Sequence, residues 1–558
     1  MNPSDSCPAE PPPPKDNFYS PLNFEFYSCQ PYKPLERSSQ TIRLLAVTKD
    51  ESGQFQCTLK DSVPLVEADG VYTAISYCAG DPNKTRSILV NGLHFNAFAN
   101  LSHAIEEVYK YRAQKYGDVE ALLWIDQICI DQSNPTERSH QVGLMYKIYS
   151  SAREVTVCLS TDDHRGGSAL AWLTELCRAF PQIIIGACAA EHTAEAYPLE
   201  NRKSHEEELI DFTCHLETDL RDAATWSAWY DFLDMLQQPW WSRAWVVQEY
   251  VAARNAVFLY GGNYVPKPTM TGPLRWIFEK RKEILKFIED YRFGMGFRSD
   301  PRYLELYELS NRWHTIWLSY RRSILDLVLG SHTGSQSDLL QLFSHSRNCS
   351  ASDKRDHIYA FLGLDDNSYN INIDYAMTNS TEALFLHSAQ QIIARTKNLC
   401  VLNFVDNSTA IHGLPSWVPD WSSRDSGNRN LIWSDPAAQT SAPWPFPPVV
   451  DIHFLENGRV LEVSGVFLDT FDGPNPNHWT TTKNNKFDIC TAIKNGADKD
   501  DQLWVLHGTR ALAVLRPHSG HFKFRTEAHF DKWGQPYWPK KELGVLMKNQ
   551  KSQRIRLV

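Results

Sequence analysis

The chain has 558 residues with a globular composition, 42% hydrophobic and 22% charged, and is long enough for about two to four domains. Its net charge of −10 is not gathered into a basic stripe, which argues against a nucleic-acid partner. The opening stretch has no signal-peptide core, and the longest apolar run, IIIGACAA from Ile183, is too short to span a bilayer. These features lead us to expect a cytoplasmic protein with no membrane partner, and the 12 cysteines, lacking any C-x-x-C pair, read as buried or free thiols. No His cluster stands at metal spacing, so neither a metal nor a resident cofactor is expected.

Residues 1–31 are Pro-rich and polar and read as a disordered tail. Order is expected to begin with a strand at Thr41 to Val47, paired as a hairpin with Phe55 to Leu59. Val71 to Tyr77 is rich in β-branched and aromatic residues, as a strand should be, and AGDPN stops it. Leu101, Ile105, Val108 and Tyr109 recur at helical spacing. The continuous apolar run ALLWID, Ala121 to Asp126, predicts a strand buried on both faces. A helix should follow, with Asn134 as N-cap, Pro135 at its first position and Glu137 as a capping-box acid, burying Val142, Met145, Tyr146, Tyr149 and Ala152. Glu154 to Ser160 is the next strand. Alternation of strand and helix predicts a parallel sheet with helices on both faces.

A charged, less regular insert, roughly 161–225, precedes the apolar helix WWSRAWVVQEYVAAR and a strand at Ala256 to Gly262. Beyond it the pattern predicts a helical connecting region over 266–365 and a C-terminal α+β region over 366–558. The helix DHIYAFLGL is apolar enough to need a partner surface, and its expected partner is the preceding α/β domain.

Three segments, YTAISYCAGDPN, LLWIDQICIDQSNPTERSHQVGLMYKIYSSAREVTVCLS and WWSRAWVVQE, together resemble the heterokaryon incompatibility (HET) domain of filamentous fungi. The resemblance covers about residues 72–250, within a domain placed at 32–265. It departs at Ala79, where the family usually has Trp. It implies fungal self/non-self recognition or programmed cell death, with other incompatibility proteins or further copies of the chain as partners. The HET domain is itself distantly similar to TIR domains, so the fold expected is α/β, with a parallel, flavodoxin-like and TIR-similar sheet. Some TIR domains cleave NAD with a Glu four residues after a Trp, the spacing of Trp245 and Glu249 here. This makes NAD a candidate substrate, and the alternative is a non-enzymatic module that works by self-association.

The candidate site follows from these positions. Glu249 sits on an almost wholly apolar helix and on the helical wheel lies near Trp245 and Ser242. It either serves a cleft or pairs with a cation such as Arg138. Asp126 and the pair Ser76–Tyr77 end strands whose carboxyl edge is where parallel sheets bind ligands. Gly80 either allows a sharp turn or admits a phosphate. Arg138 can meet a phosphate or a structural carboxylate, Asp126 and Asp131 can simply cap, and Cys129 reads as buried filler.

Overall fold

A computed structural model describes residues 21–36, 40–117, 121–161, 168–180, 223–294, 307–308, 311–312, 339–364, 369–376, 378–405, 411, 413–423, 451–473, 479–482, 488–491, 497–509, 511–532, 535–537 and 551–558. The described residues fall into two compact units. One is drawn from Met1–Gln336 with Cys349–Asp353 and Ile373–Tyr375, the other from Ser337–Asn348, Lys354–Asn372 and Ala376–Val558.

The first unit is built on a nine-stranded sheet in the order β5-β4-β2-β1-β6-β3-β7-β8-β9. Its centre is β6 (Ala121–Trp124), β3 (Thr73–Ser76), β7 (Glu154–Cys158) and β8 (Ala256–Tyr260), which run parallel. In chain order these are the second, first, third and fourth strands, the arrangement that opens a flavodoxin-like sheet. Every residue of β3, β7 and β8 is buried, which explains their unbroken apolar and β-branched runs. The strands expected to end near Tyr77, Asp126 and Ser160 are thus parallel neighbours.

The sheet is mixed beyond that centre. β1 (Thr41–Lys49) runs antiparallel to β6, and β2 (Phe55–Pro64) pairs antiparallel with β1 as expected. β9 (Asn263–Pro266) folds back antiparallel on β8. The sequence reading overlooked one hairpin, β4 (Thr85–Val90) with β5 (Leu93–Phe98). Its two-residue turn is Asn91-Gly92, both at positive φ (51° and 76°), the conformation a tight hairpin demands.

Three helices position the site. Ala99–Tyr116 buries Leu101, Ala104, Ile105 and Val108 and ends at Gly117, whose φ of 68° supplies the left-handed cap. Pro135–Ser151 begins as expected, with the Asn134 side chain accepting from the backbone N–H groups of Thr136 and Glu137. Glu137 does not close a capping box. Arg43, fully buried on β1, donates to both its carboxylate oxygens at 2.6 and 3.0 Å, and the backbone N–H of Asp131 donates to it at 2.8 Å. Tyr146, expected in the buried stripe, is exposed, and Leu144 and Ile148 are buried instead. The third helix is shorter than its sequence suggested and spans only Trp245–Ala252.

The described part of the N-terminal tail is ordered. Phe24–Ser28 is helical, Phe26 packs edge-on against Phe95 at 5.0 Å, and Asn23 and Asn96 exchange two hydrogen bonds. An apolar anchor in an otherwise polar stretch ties this end to β5. Within the 161–225 insert, Ala169–Ala179 is helical; Ile183 and its apolar run lie outside the described residues.

The second unit is α+β, with a largely antiparallel nine-stranded sheet built from strands between His453 and Leu557, around Val466, Leu468, Phe471, Leu503, Val505 and Val514. The predicted helices Asp356–Leu362 and Thr381–Thr396 belong to it. Among the described residues no helix is long and apolar enough to cross a membrane, and no cluster of His, Cys, Asp and Glu could hold a metal.

A buried carboxylate cluster as the candidate functional site

The carboxyl ends of β3 and β6 meet the N-terminal end of the Trp245–Ala252 helix. Ser76, the last residue of β3, donates its hydroxyl in a short hydrogen bond to Oε2 of Glu249. The same Ser76 oxygen accepts from the indole N–H of Trp240 at 2.8 Å. Tyr77 follows, and its hydroxyl donates to Oδ1 of Asp126 at 3.1 Å. Asp126 opens a one-turn helix directly after β6, and its carboxylate also accepts from the backbone N–H of Gln127 at 2.7 Å. The side chain therefore bonds both the strand-end tyrosine and the next backbone N–H of its own chain.

Arg243 completes the cluster. Residues Pro239–Ser242 form a 3-10 turn, and Arg243 itself is extended (φ −74°, ψ 140°), bridged by its backbone to Ser350. A helical wheel carried through Trp240 therefore misplaces it. Leaving the helix turns its guanidinium inward, where it donates to the carbonyl of Tyr77 and faces both Glu249 and Asp126. Burial works against its charge, but the Glu249 and Asp126 carboxylates more than compensate and raise its pKa.

One cation thus serves two carboxylates. Burial, opposed by Arg243 and the Ser76 hydroxyl, raises the Glu249 pKa from 4.5 to about 7. Burial also raises Asp126, against the pull of Arg243 and the Gln127 N–H. Near neutrality Glu249 is therefore poised between its two charge states, as a group that exchanges protons or stabilises a transient cation must be. Glu249 and Ser76 are each 1% exposed, whereas Asp126 and Arg243 keep part of their side chains accessible.

The remaining candidates lie as follows. Trp245 is buried on the first turn of its helix, but the indole that bonds into the cluster is that of Trp240. Trp240 and Trp241 pack against each other and Phe258, so most of this tryptophan-rich stretch is a clamp on β8. Gly80 has a φ of 81°, and a Cβ there would lie 2.5 Å from Nδ2 of Asn100, which donates to the Cys78 carbonyl. Glycine is needed at this turn on steric grounds alone. Arg138 stacks over Tyr375 at 3.9 Å and lies 3.9 Å from Asp353. The cation beside Glu249 is Arg243 rather than Arg138. Cys129 is buried, accepts from the Ile125 N–H and has its pKa pushed up to about 12 by burial, so it is no nucleophile. Sequence reasoning missed Arg243 and Trp240, and the one available signal was Pro239, which breaks helical periodicity ahead of them.

The family model for Heterokaryon incompatibility protein (HET) matches residues 72–249, ending on the carboxylate at the centre of the cluster. The chain is 26% identical over 383 residues to "Heterokaryon incompatibility protein 6, OR allele" of Neurospora crassa, a match covering 63% of this chain and 53% of that protein. It thus spans about half the length of the curated relative it matches. No solved structure matches it. The sheet edge, the two strand-end loops and most of the glutamate helix fall within the stretch that matches the HET family model.

Proposed function

We propose that this protein acts in fungal heterokaryon incompatibility, as a self/non-self recognition or cell-death effector, and that its HET domain cleaves the nicotinamide–ribose bond of an NAD-type nucleotide. The observation that carries the reading is Glu249, a carboxylate held at the carboxyl edge of a parallel sheet with its pKa raised to about 7. A purely structural role on an apolar helix is better served by Leu or Met, because burying an ionisable group is costly.

In the proposed reaction the glycosidic bond breaks with its electron pair leaving on nicotinamide, and ribose becomes an oxocarbenium-like cation. Ionised Glu249 stabilises that charge. Water adds to the cation, and its proton passes to Asp126 or to solvent, giving ADP-ribose, nicotinamide and a proton. Ser76, itself bonded by Trp240, holds Glu249 in place, and half-buried Arg243 is the cation available to the substrate's phosphates. Substrate entry requires Arg243 to exchange its contact with the Tyr77 carbonyl for the ligand.

Overexpression in a fungal host tests this. Wild type should arrest growth and deplete cellular NAD, and Glu249→Gln, made to the same soluble level, should do neither. The second reading, a non-enzymatic module acting by self-association, is favoured by the near-complete burial of Glu249. Under it, Glu249→Gln retains killing as long as the protein folds, and NAD levels do not move.

A further inference from the structure

The second unit contains a cavity of about 580 Å³ at the open end of its sheet, within the size range of small-molecule sites. Its walls carry Arg459, Arg516, Lys523 and Arg525 against the carboxyl groups of Glu456 and of the last residue, Val558. Among the apolar lining residues Leu414 is half-buried, whereas Pro415 and Phe524 are buried. Ser416 closes the floor, bonding the backbone of Val558 and Phe524.

Two features of the strands make this more than a basic surface. Arg516 on β15 (Leu512–His518) and Lys523 on β16 (His521–Lys532) are directly opposite in an antiparallel pair. Like charges at such positions destabilise a sheet unless something neutralises them. Arg516 is compensated by Asp501 and Asp498, at 2.8 and 2.9 Å, but Lys523 stands exposed at the cavity mouth. The register then slips between Val514 and Leu515, whose partners are Thr526 and Phe524, so Arg525 is the extra residue of a β-bulge. Bulges redirect side chains and recur beside binding sites.

Arg525 has the character of an unfilled ligand position. Its Nε is buried without a hydrogen-bond partner, and its nearest carboxylate, Asp501, is 3.9 Å away and already engaged by Arg516. Burial and the neighbouring Arg516 lower its pKa, so the site disfavours its charge until an anion arrives.

We propose that this cavity binds a phosphate-bearing small molecule, with Arg525 and Lys523 gripping the phosphate and Leu414 flanking the body of the ligand. A planar guanidinium fork beside a mobile ammonium suits a multiply charged oxyanion better than a lone carboxylate. The unit would then act as the ligand-sensing part of the chain, independently of what the HET domain does.

The test is titration calorimetry on the full chain at low ionic strength with inorganic pyrophosphate and with ADP. Vesicles carrying phosphatidylinositol phosphates form a separate arm that distinguishes a lipid headgroup from a free phosphate compound. Wild type should bind pyrophosphate or ADP, and Lys523→Glu and Arg525→Met should each weaken that binding by about tenfold or more. Lys523 is exposed, so its variant retains the fold even where the Arg525 variant does not. Binding to the vesicles but to neither soluble probe would keep the phosphate site and assign it to lipid. Wild type that binds none of the three, or Lys523→Glu that binds as wild type does, would overturn the proposal.

Discussion

Replacing Glu249 by Gln keeps the size of the side chain and leaves Ser76 an oxygen to donate to, but removes the titration. The carboxyl moves from 4.5 to about 7 on folding, chiefly through burial. At about 1.4 kcal/mol per pH unit, keeping Glu249 ionised costs the folded state about 3 kcal/mol. Because the folded value is the higher one, the neutral carboxyl contributes its full stability below pH 4.5 and loses it as pH rises through 7. Gln is neutral throughout. The stability of wild type relative to Glu249→Gln should therefore fall by about 3 kcal/mol between pH 4.5 and about 8, and be flat on either side. Urea denaturation of both proteins across that range measures it, and other titrating groups cancel in the difference. Parallel curves would refute the reasoning. So would a difference of opposite sign, which would mean that Arg243 holds Glu249 ionised at all pH values.

Ser76→Ala removes the hydroxyl that lowers the Glu249 pKa, so the midpoint of the same pH difference should move above 7. Arg43→Met strands Glu137 as a buried charge and should cost about 3–5 kcal/mol in denaturation, with Arg43→Met/Glu137→Met recovering most of it. Gly80→Ala forces a positive φ on a residue with a Cβ and drives it toward Asn100. A melting curve should show about 1–2 kcal/mol of lost stability, part of it restored by Asn100→Ser.

Much of the fold could be read from local pattern. ALLWI is an unbroken apolar run and EVTVC is rich in Val because their strands are largely buried, and Asn134-Pro135 starts a helix through its own side chain and fixed φ. The Asn91-Gly92 hairpin carried an equally local signal that was passed over between two stronger strands. Ser76, Tyr77 and Asp126 could be brought together in advance because all lie at strand ends on one sheet edge, whereas Glu249, in the middle of its helix, was singled out by its spacing from Trp245. Arg243 could not, since its orientation depends on the 3-10 turn at Pro239 and on a backbone bridge to Ser350, more than 100 residues away in sequence. Glu137 was misread for a related reason. A capping box is a local motif, and the competing partner, Arg43, comes from a distant strand whose burial leaves it no other carboxylate so close.

The central claim is that Glu249 is there for chemistry at the sheet edge, and the most direct measurement is nicotinamide release from NAD by the purified full-length protein, followed across pH. The account predicts that wild type releases nicotinamide with a rate that rises through a single ionisation near pH 7. Glu249→Gln, still folded, should lose about a hundredfold or more of that rate. Wild type that leaves NAD intact even at high concentration, or Glu249→Gln that matches its rate, would contradict the account.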